Sequence, residues 1–412
     1  MIYYTHIYSY KYKRSALMEY RYSDKIKNLK PSAIREIFKS LSDPTIISFS
    51  GGNPSPESFP SDEMAKISEK LYAESANVAL QYSVTEGYPP LRSALAARLH
   101  DRFGIGNEND STIIVSGGTQ GIELACKIMC NEGDAVLCED PTFIGALNAF
   151  RSNGAKTIGI PAENGGIDAE ALEKAISEHP EAKLLYIIPT FHNPMGTTMS
   201  YEKRVAVYEV CKRHGLIILE DNPYGELRFA GEDIPTIKSM DTNGIVIYCS
   251  TFSKILSAGM RVGYVTAPEA LIQKMVVAKQ VEDVHTNIFF QMVCFKYMTE
   301  YDLDAHIKDI CSLYEHKAAL MLSALDKYMP DFVKYTRPDG GLFIWCTLPD
   351  SIDCDEFVKK ALEMKVAVVP GKAFNCDTEA PSQSFRLNYS MPTDDQIEVG
   401  VKRLAEAIRS LT

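Results

Sequence analysis

The chain has 412 residues, 45% of them hydrophobic and 24% charged, with a net charge of −11. Such a length supports a large core and two to three domain-sized units, and an acidic balance without a long basic run argues against nucleic acid or a membrane surface as the main partner. No apolar run approaches the roughly 20 residues of a membrane span, and the ten scattered cysteines lack metal-ligand spacing, so they read as core thiols of a reducing, cytoplasmic compartment.

The chain opens with "MIYYTHIYSYKYKRSALMEY", rich in Tyr and Lys and without a signal peptide's apolar stretch or cleavage site. Residues 1–30 read as a flexible extension, with Met18 as an alternative start. Residues 31–65 begin with a short helix, "PSAIREIFKSL", become rich in Pro and Gly, and are expected to pack on a smaller domain. From 66 to 290 apolar runs alternate with helical patterns. Strands are expected at "STIIVSGG", "AVLCED", "AKTIGIPA", "KLLYIIPT", "LIILED", "GIVIYCSTF" and "RVGYVTAP". Helices fall between them, one begun by Asp168 and others stopped by Gly154 and Gly215. Continuous apolar strands separated by helices mean a mainly parallel, seven-stranded sheet covered on both faces. Residues 291–412 change character. A helical stretch runs to about 328, a hairpin turns at Asp339-Gly340-Gly341, and a helix, two short strands and a closing helix follow. The fold class is therefore α/β, a large sheet domain plus a smaller α+β domain built from the C-terminal part and the N-terminal segment.

Ligands of an open parallel sheet sit beyond the carboxyl ends of its strands. There the sequence places Gly118, Thr119 and Gln120 at a helix start, Asn193 in "FHNPMG", Asp221 and Tyr224 in "EDNPYG", and Ser250, Ser253 and Lys254 in "CSTFSK", with Arg261 shortly after. Each alone has an ordinary explanation as a tight turn, a cap or a solvated lysine. Together they offer an anion cradle, a carboxylate, a phenol, an amide and an amine. Pyridoxal phosphate uses all five, since its aldehyde condenses with a lysine and its phosphate needs donors. Arg261, Ser250 and Ser253 are expected to hold the phosphate with the Gly118–Gln120 turn, and Arg261 to lower the Lys254 pKa. Asp221 would face the ring nitrogen, and Tyr224 and Asn193 the O3′ oxygen.

With "SGGNPSPESFP", "LQYSVTEGYPPLR", "SGGTQGI", "HNPMGTTMS", "DNPYGELRF", "STFSKILSAGMRVGY" and "RLNYS" in this order, the chain from about residue 30 resembles the class I/II aminotransferases of pyridoxal-phosphate fold type I. The likeness is closest to their 2-aminoadipate, kynurenine and aromatic amino-acid branch. The resemblance implies that Lys254 is the Schiff-base lysine and proton shuttle, and that Phe143 stacks on the cofactor ring without the hydroxyl many relatives carry. It implies that Arg386 clamps the substrate carboxylate, and that Gly52 lies in a loop closing over substrate. It further implies that Tyr82 reaches the phosphate of a partner subunit in a homodimer. A structural ion pair at Arg386 and plain packing at Tyr82 stay open, and Arg35 is read either as meeting an acidic substrate side chain or as a surface charge. The expected activity is ping-pong transfer of an amino group from an amino acid of 2-aminoadipate, aromatic or aliphatic type to a 2-oxo acid such as 2-oxoglutarate. A β-lyase or decarboxylase on the same fold is the alternative. A DNA-binding regulator carrying this fold is disfavoured by the acidic charge and by the short stretch before residue 60. His192 reads as a packed or solvated histidine.

Overall fold

The strands form where apolar residues recur without interruption and stop where glycine or proline enters. In the computed structural model, which describes residues 20–27, 29, 43–163 and 165–412, a two-residue strand, β1 (Ile47–Ser48), precedes the main sheet. Its seven strands are β2 (Asp110–Val115), β3 (Ala135–Asp140), β4 (Lys156–Pro161), β5 (Ala182–Ile187), β6 (Ile217–Asp221), β7 (Val246–Thr251) and β8 (Gly263–Pro268). They lie in the order β2-β8-β7-β6-β5-β3-β4. Neighbours from β7 to β4 run parallel, and β8 is antiparallel to both β7 and β2. The reversal has a simple cause. Only residues 252–262 join β7 to β8, too few for the crossover helix that a parallel return needs. That short connection carries Lys254 and Arg261.

Alternation along the strands sorts side chains between two layers. Val136, Cys138, Leu184, Tyr186, Leu219 and Cys249 face one side, covered by the Gly118–Met129, Ile144–Ser152 and Glu269–Glu282 helices. Leu137, Leu185, Ile187, Ile218 and Val246 face the other, against the Ala169–Glu178 and Tyr201–His214 helices. Each such fully buried aliphatic side chain contributes about 1.5–3 kcal/mol of transfer free energy, so the sheet is held from both faces.

The remaining strands are β9 (Lys334–Tyr335), β10 (Phe343–Thr347), β11 (Val366–Ala367), β12 (Val369–Pro370) and β13 (Ser384–Asn388). β12, β13, β10 and β9 form an antiparallel sheet in that order, while β1 pairs in parallel with β11. The segment after β1 continues along β13, with Phe49 N donating to Ala367 O and Asn388 N to Phe49 O, both at 2.8 Å. This delivers Ser50 and Gly52 beside Arg386 of β13. The closing helix, Asp394–Arg409, starts in a capping box in which the Thr393 and Gln396 side chains each satisfy the other's backbone N–H. Within the expected extension, Asp24–Lys27 form one helical turn, and Lys25 Nζ lies 2.5 Å from Glu132 Oε1. The "PSAIREIFKSL" helix, with Arg35, lies outside the described residues. No helix among the described residues is long and apolar enough to cross a membrane, and all ten cysteines are unpaired.

One buried cation positions the turn after β5. Arg204 has no exposed surface. It donates to the carbonyls of Met199, Pro189 and Pro235 at 2.9–3.0 Å, to Thr190 Oγ1 at 2.9 Å and to Ile234 O at 3.3 Å. Burial lowers its pKa to about 10. Replacing it by Ala orphans several buried carbonyls at once. We expect Arg204→Ala to cost about 3 kcal/mol or more, read as a lower urea midpoint, and to loosen the 189–193 turn.

Candidate active site

The carboxyl ends of β5, β6 and β7 open into a cleft of about 280 Å³ between the main sheet and the small-domain sheet. Its lining combines Lys254, Arg261, Arg386, Asp221, Asn193 and Tyr224 with Gly52, Gly118, Thr119, Phe143 and Ser253. It also includes Asn53, Ile122, Ile188, Pro223, Thr251 and Ala258. Three lining residues are cationic and one, Asp221, is anionic. In a chain of net charge −11, that local excess marks a place for an anionic ligand.

The anion cradle is built by close approach. Gly117, at φ 83°, precedes the Gly118–Met129 helix, and a Cβ there would overlap Arg261 Nη2. The guanidinium thus lies across the turn whose helix N-terminus supplies backbone donors. Gly263 permits a different close approach, that of the Gly118 and Ser250 backbones, since its Cβ would stand 2.8 Å from Gly118 N and 2.9 Å from Ser250 O. Arg261 itself has φ 54°, and its Nη1 donates to Ser253 Oγ at 3.3 Å and Ala258 O at 3.2 Å. Thr251 Oγ1 donates to Ser253 Oγ at 2.8 Å. Phe143 caps the Ile144–Ser152 helix and borders the cleft, its ring lying where a side chain on residue 145 would stand.

Lys254 Nζ donates to Gly52 O at 2.8 Å and lies 5.7 Å from the Tyr224 ring centre. Burial, then Arg261 and Arg386, lower its pKa to about 8. Asp221 at the end of β6 is buried, which raises its pKa to about 7, opposed by a hydrogen bond from Tyr186 and by His192. Burial also raises the Tyr224 phenol. Arg386 is 2% exposed, and its Nη1 donates to Asn193 Oδ1 at 2.7 Å and its Nη2 to Ser50 O at 2.8 Å. Its guanidinium sits between the Phe343 and Phe374 rings, 4.2 and 4.9 Å from their centres. Nε is buried without a partner, and burial lowers the pKa to about 10. Among the described residues no carboxylate pairs with this guanidinium.

Several expected residues lie elsewhere. The Ser250 hydroxyl donates to Asn222 O at 2.8 Å and does not line the cleft, because alternation along β7 turns it to the other face. Thr251 takes a lining position instead. The Gln120 side chain bonds Ser116 N and Lys279 Nζ, at 2.7 and 2.8 Å, and also lies off the cleft. Tyr82 is 81% exposed on the surface, edge-on to His285 at 5.9 Å. Arg35 is outside the described residues. His192 is buried with Nε2 3.2 Å from Glu139 Oε2. Tyr186 was missed; as the lone tyrosine of an apolar strand, its only signal was a polar atom in a run without others.

The cleft fits pyridoxal phosphate. It has an anion cradle at Arg261, a buried carboxylate, a lysine with a lowered pKa, and the unpartnered Arg386 Nε for a second anionic group. Among the described residues no group of three or more His, Cys, Asp or Glu could hold a metal ion.

Comparison with known proteins agrees. The family model described as aminotransferase class I and II matches residues 44–404. The chain is 39% identical to an aromatic-amino-acid aminotransferase of Thermococcus litoralis, over 94% of each chain. It is 37% identical to a 2-aminoadipate transaminase of Thermus thermophilus, over 93% of this chain and 95% of the other. A kynurenine aminotransferase of Pyrococcus horikoshii, solved in complex with PMP, KYN as substrates and KYA as products, superposes with a TM-score of 0.91. That match is 39% identical and covers 94% of this chain and 97% of the other.

The Lys254 amine must be neutral to attack a carbonyl. With its pKa lowered to about 8, the neutral fraction falls tenfold per pH unit below that value. The initial rate of borohydride-trapped labelling by pyridoxal phosphate should therefore rise from pH 6 to 8 and level off above, rather than climb toward 10.5. Lys254→Ala should take up no label.

Proposed function

The chain belongs to the class I and II aminotransferase family and is a pyridoxal-phosphate-dependent aminotransferase, and from that premise we propose both its donors and the roles of its residues. The donors are 2-aminoadipate, kynurenine and aromatic amino acids, with 2-oxoglutarate as an acceptor. The names of the relatives support this range. The single observation that carries the residue roles is the excess of cations over carboxylates among the described residues lining one cleft.

When bound, pyridoxal phosphate supplies a carbonyl that condenses with amines and a ring that accepts the electrons left when Cα loses its proton. Arg261, Ser253 and the Gly118–Thr119 turn hold the phosphate. Asp221 would pair with the ring nitrogen, Asn193 and Tyr224 would bond the phenolic oxygen, and Phe143 would pack on the ring. Arg386 binds the substrate α-carboxylate with its guanidinium fork, which aligns the Cα–H bond for removal. Lys254 Nζ, its pKa lowered to about 8 and 2.8 Å from Gly52 O, would be the base that takes the proton from Cα and holds it for return. The Gly52 loop and Phe343 exclude water. A Cβ on Gly52 would stand 3.3 Å from Phe343 Cζ, so any side chain there narrows the entry.

The proposed assembly is a homodimer, with Tyr82 reaching the partner's cofactor. The exposed apolar side chains of Tyr72 (52%), Leu80 (73%) and Tyr82 (81%), which border one surface groove, support it, since a monomer leaves such side chains solvated at a cost. The division into residues 66–290 and 291–412, with 31–65 joining the smaller part, is supported by the β1–β11 pairing. The unpaired buried thiols support a cytoplasmic location.

A donor panel with 2-oxoglutarate tests the substrate range. We expect 2-aminoadipate, kynurenine and at least one aromatic amino acid to form glutamate in parallel-line ping-pong kinetics, and no turnover of all three overturns the range. Arg386→Gln should lower kcat/KM for every donor by about 100-fold or more, the ~3 kcal/mol of a charge-assisted pair. Sedimentation should give twice the chain mass, and Leu80→Glu together with Tyr72→Glu should shift it toward the monomer.

A further inference from the structure

The Asp221 carboxylate has a fixed donor. Tyr186 of β5 is fully buried, and its hydroxyl donates to Asp221 Oδ2 at 2.7 Å. Strand register makes the pair. Tyr186 stands opposite Leu219 in the parallel β5–β6 ladder, and Asp221, two residues on, shares that face. The Tyr186 ring is held edge-on against Phe150, with centres 5.4 Å apart and planes at 72°. Burial and the adjacent carboxylate push the phenol well above its ordinary range, so it remains a donor wherever the fold persists.

The other groups facing Asp221 are few. Cys249 comes from β7, its thiol donating to Gly118 O at 3.4 Å. His192 comes from the turn after β5, with Glu139 of β3 behind it at 3.2 Å. Tyr224 comes from the turn after β6. No lysine or arginine hydrogen-bonds the carboxylate among the described residues. That choice of donor has a chemical meaning. A cation here would neutralise Asp221 and compete with a protonated ring nitrogen, whereas a phenol stabilises the carboxylate and adds no charge.

We propose that Tyr186 is a positioning residue for the cofactor, holding Asp221 ionised and turning its other oxygen to the ring nitrogen. This rests on the reading of Asp221 as that nitrogen's partner. Burial alone favours the neutral acid, and the Tyr186 hydrogen bond opposes it. Removing the hydroxyl raises the Asp221 pKa, so more of the apo protein carries a carboxylic acid at neutral pH. Less of it is then ready to receive the ring.

The test measures binding of pyridoxamine 5′-phosphate to apo wild type, Tyr186→Phe, Tyr186→Met and Asp221→Asn between pH 6 and pH 9. This probe forms no bond to Lys254, so that lysine's covalent chemistry does not enter. Where Asp221 is ionised in both proteins, near pH 9, Tyr186→Phe should bind within a few fold of wild type. Toward pH 6 the gap should widen to about tenfold for each unit by which the carboxyl pKa rises. Tyr186→Met should follow the same trend. The inference is overturned if Tyr186→Phe equals wild type throughout, or if its affinity falls by one constant factor at every pH, as a merely structural role requires. Asp221→Asn separates the two readings. Loss of affinity there supports Asp221 as the nitrogen's partner whatever Tyr186 does, and unchanged affinity removes that reading and this one with it.

Discussion

Lys254, Arg261 and Arg386 converge on one cleft in which Asp221 is the single carboxylate among the described lining residues, and much of the surrounding architecture answers that imbalance. Holding three cations around one cleft without three acids, with Arg386 buried, Lys254 half-buried and Arg261 exposed, is unfavourable unless neutral oxygens take their protons' hydrogen bonds. Each cation has such acceptors. Lys254 meets Gly52 O, Arg261 meets Ser253 Oγ and Ala258 O, and Arg386 meets Asn193 Oδ1 and Ser50 O. None is charged, so the positive potential remains for a ligand. Burial first, and then the two guanidiniums, lower the pKa of Lys254.

The two sheets divide this work. The main sheet brings Lys254, Arg261, Asp221 and Asn193 to adjoining strand ends. The small sheet brings Arg386 on β13, and the segment after β1 brings Ser50 and Gly52. Contacts made by Arg386 therefore span both halves, with Asn193 from one and Ser50 from the other. Its aromatic neighbours Phe343 and Phe374 are also small-domain residues, so the guanidinium is braced on one side and offered to the cleft on the other.

Much of the site was legible from the chain because motifs at strand ends are local. Lys254 and Arg261 fall on one connection of eleven residues, and a short connection keeps its residues together whatever the rest of the fold does. Asn193, Asp221 and Tyr224 sit in Asn-Pro turns at the ends of apolar strands, where the crevice rule applies without coordinates. The failures have an equally physical origin. Ser250 and Thr251 are adjacent on β7, and side chains one residue apart point to opposite faces. The motif marked the right strand end, and the pleat assigned the lining position to Thr251. Gln120 begins a helix at the right place, yet its side chain is held by Ser116, Lys279 and Asp283.

The amino-acid sequence by itself determined the alternation of strands and helices, the seven-stranded sheet and the identity of the lysine, the acid and the arginines. Those follow from periodicity and from chemistry that has few substitutes. Tertiary structure alone decided which hydroxyl faces the cleft, that Gly117 admits the Arg261 guanidinium while Gly263 admits the Gly117–Gly118 backbone, and that Tyr186 meets Asp221. These depend on strand register and on the approach of backbones more than a hundred residues apart, distances that no local pattern encodes.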